Sequence, residues 1–249
     1  MNAVSGKVII VTGAAQGIGA AIAARLAETA EALALVDIAG FHPEFPCPCH
    51  AVSGDLGDPA TPPKVIEETK ARFGRIDGLV NAAGLTTRGS VSAPDPALFD
   101  RLFAVNARAP YQLMGGVIAD MQARKASGSI VNIQSMNAHG GAPDLAVYAA
   151  TKGALQTLTK NAAHAHLRDR IRVNGINLGW VNTETERRLH EETLQKGEGW
   201  MAAQGAALPL GRFVSEDDAA RLALYLMSDA SAPMTGVSLD LEQIVVGAL

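Results

Sequence analysis

Cysteine is nearly missing from this chain. Cys47 and Cys49 are the only two, and they lie in one short stretch. Such a pair gives no disulfide framework, so a reducing cytosol is the expected compartment. An excess of either charge is also missing. The 21 Lys and Arg nearly balance the 25 Asp and Glu, leaving a formal net charge of -4. That excludes the basic signature of a nucleic-acid or anionic-membrane partner. No apolar run approaches the roughly 20 residues a membrane helix needs. The opening MNAVSGKVIIVTG has no basic segment leading into a long apolar one, which again points to the cytoplasm. Repeats, low-complexity segments and linkers are absent too, so residues 1–249 read as a single domain.

What is present is an alternation of strand and helix patterns. With 48% hydrophobic residues, 18% charged residues and 25 glycines, the composition suits a deeply buried sheet or extensive subunit contacts. Short apolar runs at Lys7–Val11, Ala32–Val36, Ala51–Ser53, Gly78–Val80, Ser129–Gln134, Ile171–Asn177 and Val237–Leu241 predict strands. Helical spacing marks Gly17–Glu28, Pro62–Phe73, Leu145–His166 and Glu216–Ser228. Pro96–Lys125 reads as one long helix with a disturbance near Pro110, and Glu184–Gln204 as polar and helical. This order predicts an α/β fold, a Rossmann-type doubly wound parallel sheet with helices on both faces. The stretch Ile38–His50 is the exception. Its three prolines break any helix, so it reads as an irregular crossover. Cys47, Cys49 and His50 lack a second ligand cluster, and no metal site is expected.

Two features predict a dinucleotide. Gly13, Gln16, Gly17, Ile18 and Gly19 form a turn between the first strand and the first helix. Its small residues let backbone N–H groups and the helix N-terminus approach a pyrophosphate. Asp37 ends the second strand, where a carboxylate accepts hydrogen bonds from the adenosine ribose hydroxyls. The same carboxylate repels a 2′-phosphate, and neither Gln16 nor Ile38 supplies a compensating cation. NAD is therefore the expected cofactor.

Ser135 follows the fifth strand, and Tyr148 and Lys152 lie one helical turn apart on the next helix. A free phenol, with a pKa near ~10, is a poor base at neutral pH. A neighbouring ammonium, together with the positive nicotinamide ring, favours the phenolate, so Tyr148 can take the proton of an alcohol while Ser135 holds its oxygen. Lys152 would also grip the nicotinamide ribose.

The turn Thr12–Gly19, followed by Ser135 and Tyr148-Ala149-Ala150-Thr151-Lys152, resembles the short-chain dehydrogenase/reductase family. The resemblance runs over essentially the whole chain. It implies that Asn106 completes a Ser-Tyr-Lys-Asn tetrad and supports a water-linked proton path from Lys152. It also implies that Asp55 and Leu56 lie beside the adenine, that Asn81 belongs to the cofactor site, and that Thr183 contacts the carboxamide through the loop near Val181. A homotetramer built on the two long helices is implied as well. The chain departs from the family at two places: Leu178-Gly179 stands where Pro-Gly is usual, and Asp240-Leu241-Glu242 where Asp-Gly-Gly is usual.

The substrate site is expected between the Met136–Leu145 loop, the Leu85–Val91 segment and a lid at about 184–208. Ser135, Asn137, His139, Trp180, Asn182 and Trp200 are its candidate linings. Their polarity favours a sugar, polyol or hydroxy acid over a steroid. Three alternatives stand beside this reading. An acyl-thioester ketone reductase shares the scaffold, but such enzymes usually take NADP. A catalytically silent NAD-sensing protein would have no use for a phenolic base, and a structural role would leave the tetrad unexplained.

Overall fold

The computed structural model describes residues 3–42 and 44–246. Its elements are β1 (Val8–Thr12), α1 (Gly17–Ala27), β2 (Ala32–Asp37), β3 (Cys49–Ser53), α2 (Thr61–Phe73) and β4 (Gly78–Asn81). Then come α3 (Pro96–Phe103), α4 (Ala109–Ala123), β5 (Gly128–Ser135), α5 (Ala146–Ala165) and β6 (Ile171–Leu178). The last are α6 (Glu184–Arg188), α7 (Trp200–Ala207), α8 (Glu216–Met227) and β7 (Ser238–Leu241).

Seven strands join one sheet in the order β3-β2-β1-β4-β5-β6-β7, and every pairing is parallel. Successive side chains on a strand face opposite ways, and both faces here are covered. Ile9, Val11, Leu33 and Leu35 pack with Ile22 and Leu26 of α1 and Ala219 and Ala223 of α8. The alternate residues Ile10, Ala34 and Val36 pack with Val65 of α2, Leu113 and Val117 of α4, and Ala163 of α5. The doubly wound sheet is thus as expected. Strand order reverses between β1 and β4, where a ligand cleft opens at the strands' carboxyl ends.

Three boundaries differ from expectation. β3 begins at Cys49 rather than Ala51, because parallel pairing with Leu33–Asp37 extends it. Pro96–Lys125 is not a uniform helix. A wider π-helical turn at Ala104–Arg108 separates α3 from α4, so the disturbance precedes Pro110 and contains Asn106. Pro110 itself sits in the first turn of α4, which tolerates a missing N–H. The 184–208 segment is two short pieces, α6 with a π-turn at Leu189–Thr193, and then α7. No helix among the described residues is long and apolar enough to cross a membrane.

Candidate active site

A cleft of about 760 Å³ runs from the turn after β1, past Asp37 and Leu56, to Tyr148 and α6. At its first end, Gly13 and Gly17 adopt φ of +69° and +59°, the left-handed region that favours glycine. A Cβ on Gly13 would come within 2.9 Å of the Ala83 backbone. Thr12 Oγ1 accepts the Ala82 and Ala83 N–H groups at 3.1 Å each, tying this turn to the end of β4. No side chain caps α1 at Gln16, so its first N–H groups face the cleft. This cradle fits a pyrophosphate.

Asp37 lines the cleft beside the turn. Its carboxylate accepts the Ala15 N–H at 3.0 Å and the Ala39 N–H at 3.1 Å, which fixes its orientation. Asp55 also lines the cleft, as does buried Leu56. Arg101 of α3 donates to both Asp55 oxygens at 2.9 Å and holds that carboxyl below the usual range. Arg101 was not legible as a cleft residue, because only the packing of α3 brings it there. The donors and acceptors present fit a dinucleotide.

At the other end, Ser135, Tyr148 and Lys152 converge. Ser135 closes β5, and its Oγ accepts the Asn137 N–H at 3.1 Å, leaving its own proton free to donate. Lys152 is buried, and its Nζ donates to the Ile133 carbonyl at 2.9 Å. Burial pulls that ammonium down to about 8. Asn106 is fully buried in its π-turn. Its Nδ2 donates to the Leu85 carbonyl at 2.9 Å and Thr151 Oγ1 at 3.1 Å, and its Oδ1 accepts the Leu85 N–H at 2.8 Å. A Cβ on Gly84 would stand 3.4 Å from Lys152 Nζ and 3.5 Å from Asn106 Oδ1. The lysine and asparagine therefore flank one point.

The protein's own groups set the phenol of Tyr148 above its ordinary pKa. Burial raises its pKa above the ordinary value, Ser135 opposes this by hydrogen bonding, and the Glu186 carboxylate adds to it. Lys152 Nζ is 5.7 Å from the Tyr148 ring centre and spends one proton on a carbonyl. The protein's own groups thus shift the phenol upward, and a positive ring bound beside it would act in the opposite direction.

Among the remaining expected residues, Asn137, Trp180, Val181 and Thr183 line the cleft. Thr183 also caps α6, its Oγ1 accepting the Glu186 N–H at 3.2 Å. Asn81 does not line the cleft. Its Nδ2 donates to Asn132 Oδ1 at 2.8 Å inside the sheet, so the side chain serves strand packing. His139 is exposed and turns to Asp240, with Nε2 3.4 Å from Oδ1. Asn182 is exposed, and Trp200 stacks on His190 behind the cleft wall. Glu186, His190, Arg88 and Glu242, by contrast, line the cleft without any motif to mark them.

The two departures from the family pattern meet in space. Leu178 pairs with Leu241 between β6 and β7. The next residue, Glu242, packs its carboxylate under Gly179 and accepts the Trp180 N–H at 3.2 Å.

A family model described as enoyl-(acyl carrier protein) reductase matches residues 13–242. The oxidoreductase UcpA of Escherichia coli K12 is 34% identical over 248 residues, covering 95% of this chain and 93% of that protein. A galactitol 2-dehydrogenase of Agrobacterium fabrum is 31% identical, covering 89% of this chain and 90% of its own. The crystal structure of L-sorbose reductase from Gluconobacter frateurii, complexed with NADPH and L-sorbose, superposes with a TM-score of 0.90 at 25% identity. It covers 100% of this chain and 99% of its own.

Proposed function

Because the chain belongs to the short-chain dehydrogenase/reductase family, we propose that it is an NAD-dependent dehydrogenase of secondary alcohols with Tyr148 as proton acceptor. The observation that carries this reading is the convergence of Ser135, Tyr148 and Lys152 at one end of a cleft whose other end is the glycine turn, with Asn106 buried behind Gly84. Bound NAD would supply the hydride acceptor and a positive ring beside the phenol.

The residues would divide the work as follows. Gly13–Gly19 hold the pyrophosphate on the start of α1, and Asp37 accepts the ribose hydroxyls. Thr183 and Val181 border the carboxamide. Ser135 donates to the alcohol oxygen, and Tyr148 takes the hydroxyl proton as the carbinol carbon loses hydride. The balance is alcohol plus NAD giving ketone, reduced cofactor and one proton. Lys152, with two N–H groups left after its bond to Ile133, grips the nicotinamide ribose and helps hold the phenolate. Asn106 keeps the neighbouring backbone open for a water path from Lys152.

Asp37 supports NAD over NADP, since Gln16 and Ile38 carry no charge and Arg101 is engaged by Asp55. L-sorbose reductase carries NADPH, so cofactor choice here rests on those side chains. The segment at about 184–208 is proposed as a substrate lid of a single domain, and the working form as a cytoplasmic homotetramer.

The experiment is direct. A panel of sugars, polyols and hydroxy acids is incubated with NAD and with NADP, and the absorbance of the reduced cofactor is followed. Reduction of NAD by at least one member, with NADP much poorer, is expected. Tight NAD binding with no turnover on any member would favour an NAD-sensing role instead.

A further inference from the structure

Glu186 stands in the wall of the cleft that holds Ser135 and Tyr148. Its Oε2 accepts from Trp180 Nε1 at 3.3 Å and lies 3.5 Å from His190 Nε2. Its Oε1 has no hydrogen-bond partner among the described residues. Both contacts fall on the one oxygen, Oε2. His190 is buried, stacked on Trp200 with ring centres 4.6 Å apart, and 5.0 Å from Trp180. Lys196 Nζ lies 3.1 Å from His190 Nδ1, so Nδ1 accepts and the ring proton points toward Glu186. Burial and that ammonium keep the imidazole neutral, and the charge on Glu186 is not cancelled. Arg88, the cation on this part of the wall, is already engaged by Asp144.

An unpaired acceptor oxygen in the same cleft as Ser135 and Tyr148 matches the chemistry of a neutral polyhydroxy compound. Hydroxyls donate to carboxylates in charge-assisted bonds. A monohydric alcohol would leave Glu186 unsatisfied. A hydroxy acid would bring a second carboxylate against it.

We propose that Glu186 is the specificity-determining residue of this site, its free oxygen accepting a hydroxyl adjacent to the carbinol and selecting neutral polyols or their ketoses. This rests on the dehydrogenase reading above and narrows its substrate class, removing the hydroxy acids.

The test measures kcat and KM with NAD on three kinds of substrate. These are hexitols such as galactitol, gluconate as the anionic counterpart, and a straight-chain secondary alcohol of the same carbon count. The wild type should favour a hexitol over both others. In Glu186→Gln, kcat/KM on the hexitol should fall by about ten- to hundredfold, chiefly through KM, the size of a lost charge-assisted bond. At a pH above the rising limb of the rate, where Tyr148 is already deprotonated, the monohydric alcohol should keep its value to within about threefold, and gluconate should improve. The ratio between substrates is the readout, because any effect of Glu186 on Tyr148 is common to all of them. Glu186→Asp, with a melting curve for each variant, controls for folding and should retain part of the preference. A wild type that prefers gluconate or the monohydric alcohol would overturn the assignment. So would an equal fall on hexitol and monohydric alcohol in a folded Glu186→Gln. If no substrate of any kind reduces NAD, the dehydrogenase reading itself fails, and the assignment falls with it.

Discussion

At the scale of single residues, Tyr148 is held protonated by burial and by Glu186, while Lys152 is drawn down to about 8. Alcohol oxidation needs the phenol without its proton, so kcat should climb with pH as the Tyr148–Lys152 unit deprotonates. Glu186 raises the phenol's pKa, so Glu186→Gln should move that rising limb to lower pH. A pH–rate profile at saturating NAD checks both, and an unmoved limb would remove Glu186 from the electrostatics of the phenol. Asp37 has two jobs, since it also accepts the Ala15 and Ala39 N–H groups. Asp37→Ala should therefore weaken NAD by about tenfold through the lost ribose bond and a looser turn, while NADP weakens less or gains. Titration of both cofactors measures the gap, and an unchanged ratio would contradict the role. These residues were legible because their spacing ties chemistry to a local element: a turn, a strand end, one helical face. Asn81 points its amide into the sheet, since a motif names a residue but not which way a strand points it. Glu186 and His190 lay in the segment read as a lid without being singled out in it, and Arg101 carried no signal, because only tertiary packing brings it to the cleft.

The elements add constraints that side chains alone do not. α8 opens with a capping box: Ser215 Oγ accepts the Asp218 N–H at 3.1 Å, and the Asp218 carboxylate accepts the Ser215 N–H at 2.9 Å. Ser215→Ala should cost about 1 kcal/mol, seen as a lower midpoint in denaturant with an unchanged slope. The turn from β6 makes a sharper case. Gly179 has no room for a Cβ because the Glu242 side chain fills that space. Gly179→Ala should push that flexible carboxylate aside at a cost of about 1 kcal/mol, mainly its lost bond to the Trp180 N–H, and Glu242→Gly should remove the clash. Additive melting shifts in the double variant would show that the two positions do not meet. The sequence marked both departures from the family pattern but not their contact, which arises only when β6 and β7 pair. The disturbance expected near Pro110 in the long helix lies a few residues earlier for a related reason. Apolar spacing runs unbroken through Pro96–Lys125, and the extra residue per turn at Ala104–Arg108 leaves no mark on it.

For the whole molecule, one parallel sheet with helices on both faces was legible from strand and helix alternation alone. What lies outside that sheet was less so. A groove between α2, α4 and α5 is lined by Ile66, Tyr111, Met114, Gly115, Gly116 and Leu158, and Tyr111 is 61% exposed there. Small residues on α4 allow close helix approach, which is the surface expected to be buried in a homotetramer. Light scattering at micromolar concentration should give four chains, and a monomer would require another explanation of that groove. The central claim concerns what the assembled cleft does, and removing one oxygen atom tests it most directly. Tyr148→Phe should keep its fold and its NAD affinity while single-turnover reduction of NAD by the best substrate falls by at least about 10²-fold, within the ~10² to 10⁴ range of general acid–base catalysis. Near-normal reduction in that variant would contradict Tyr148 as the proton acceptor.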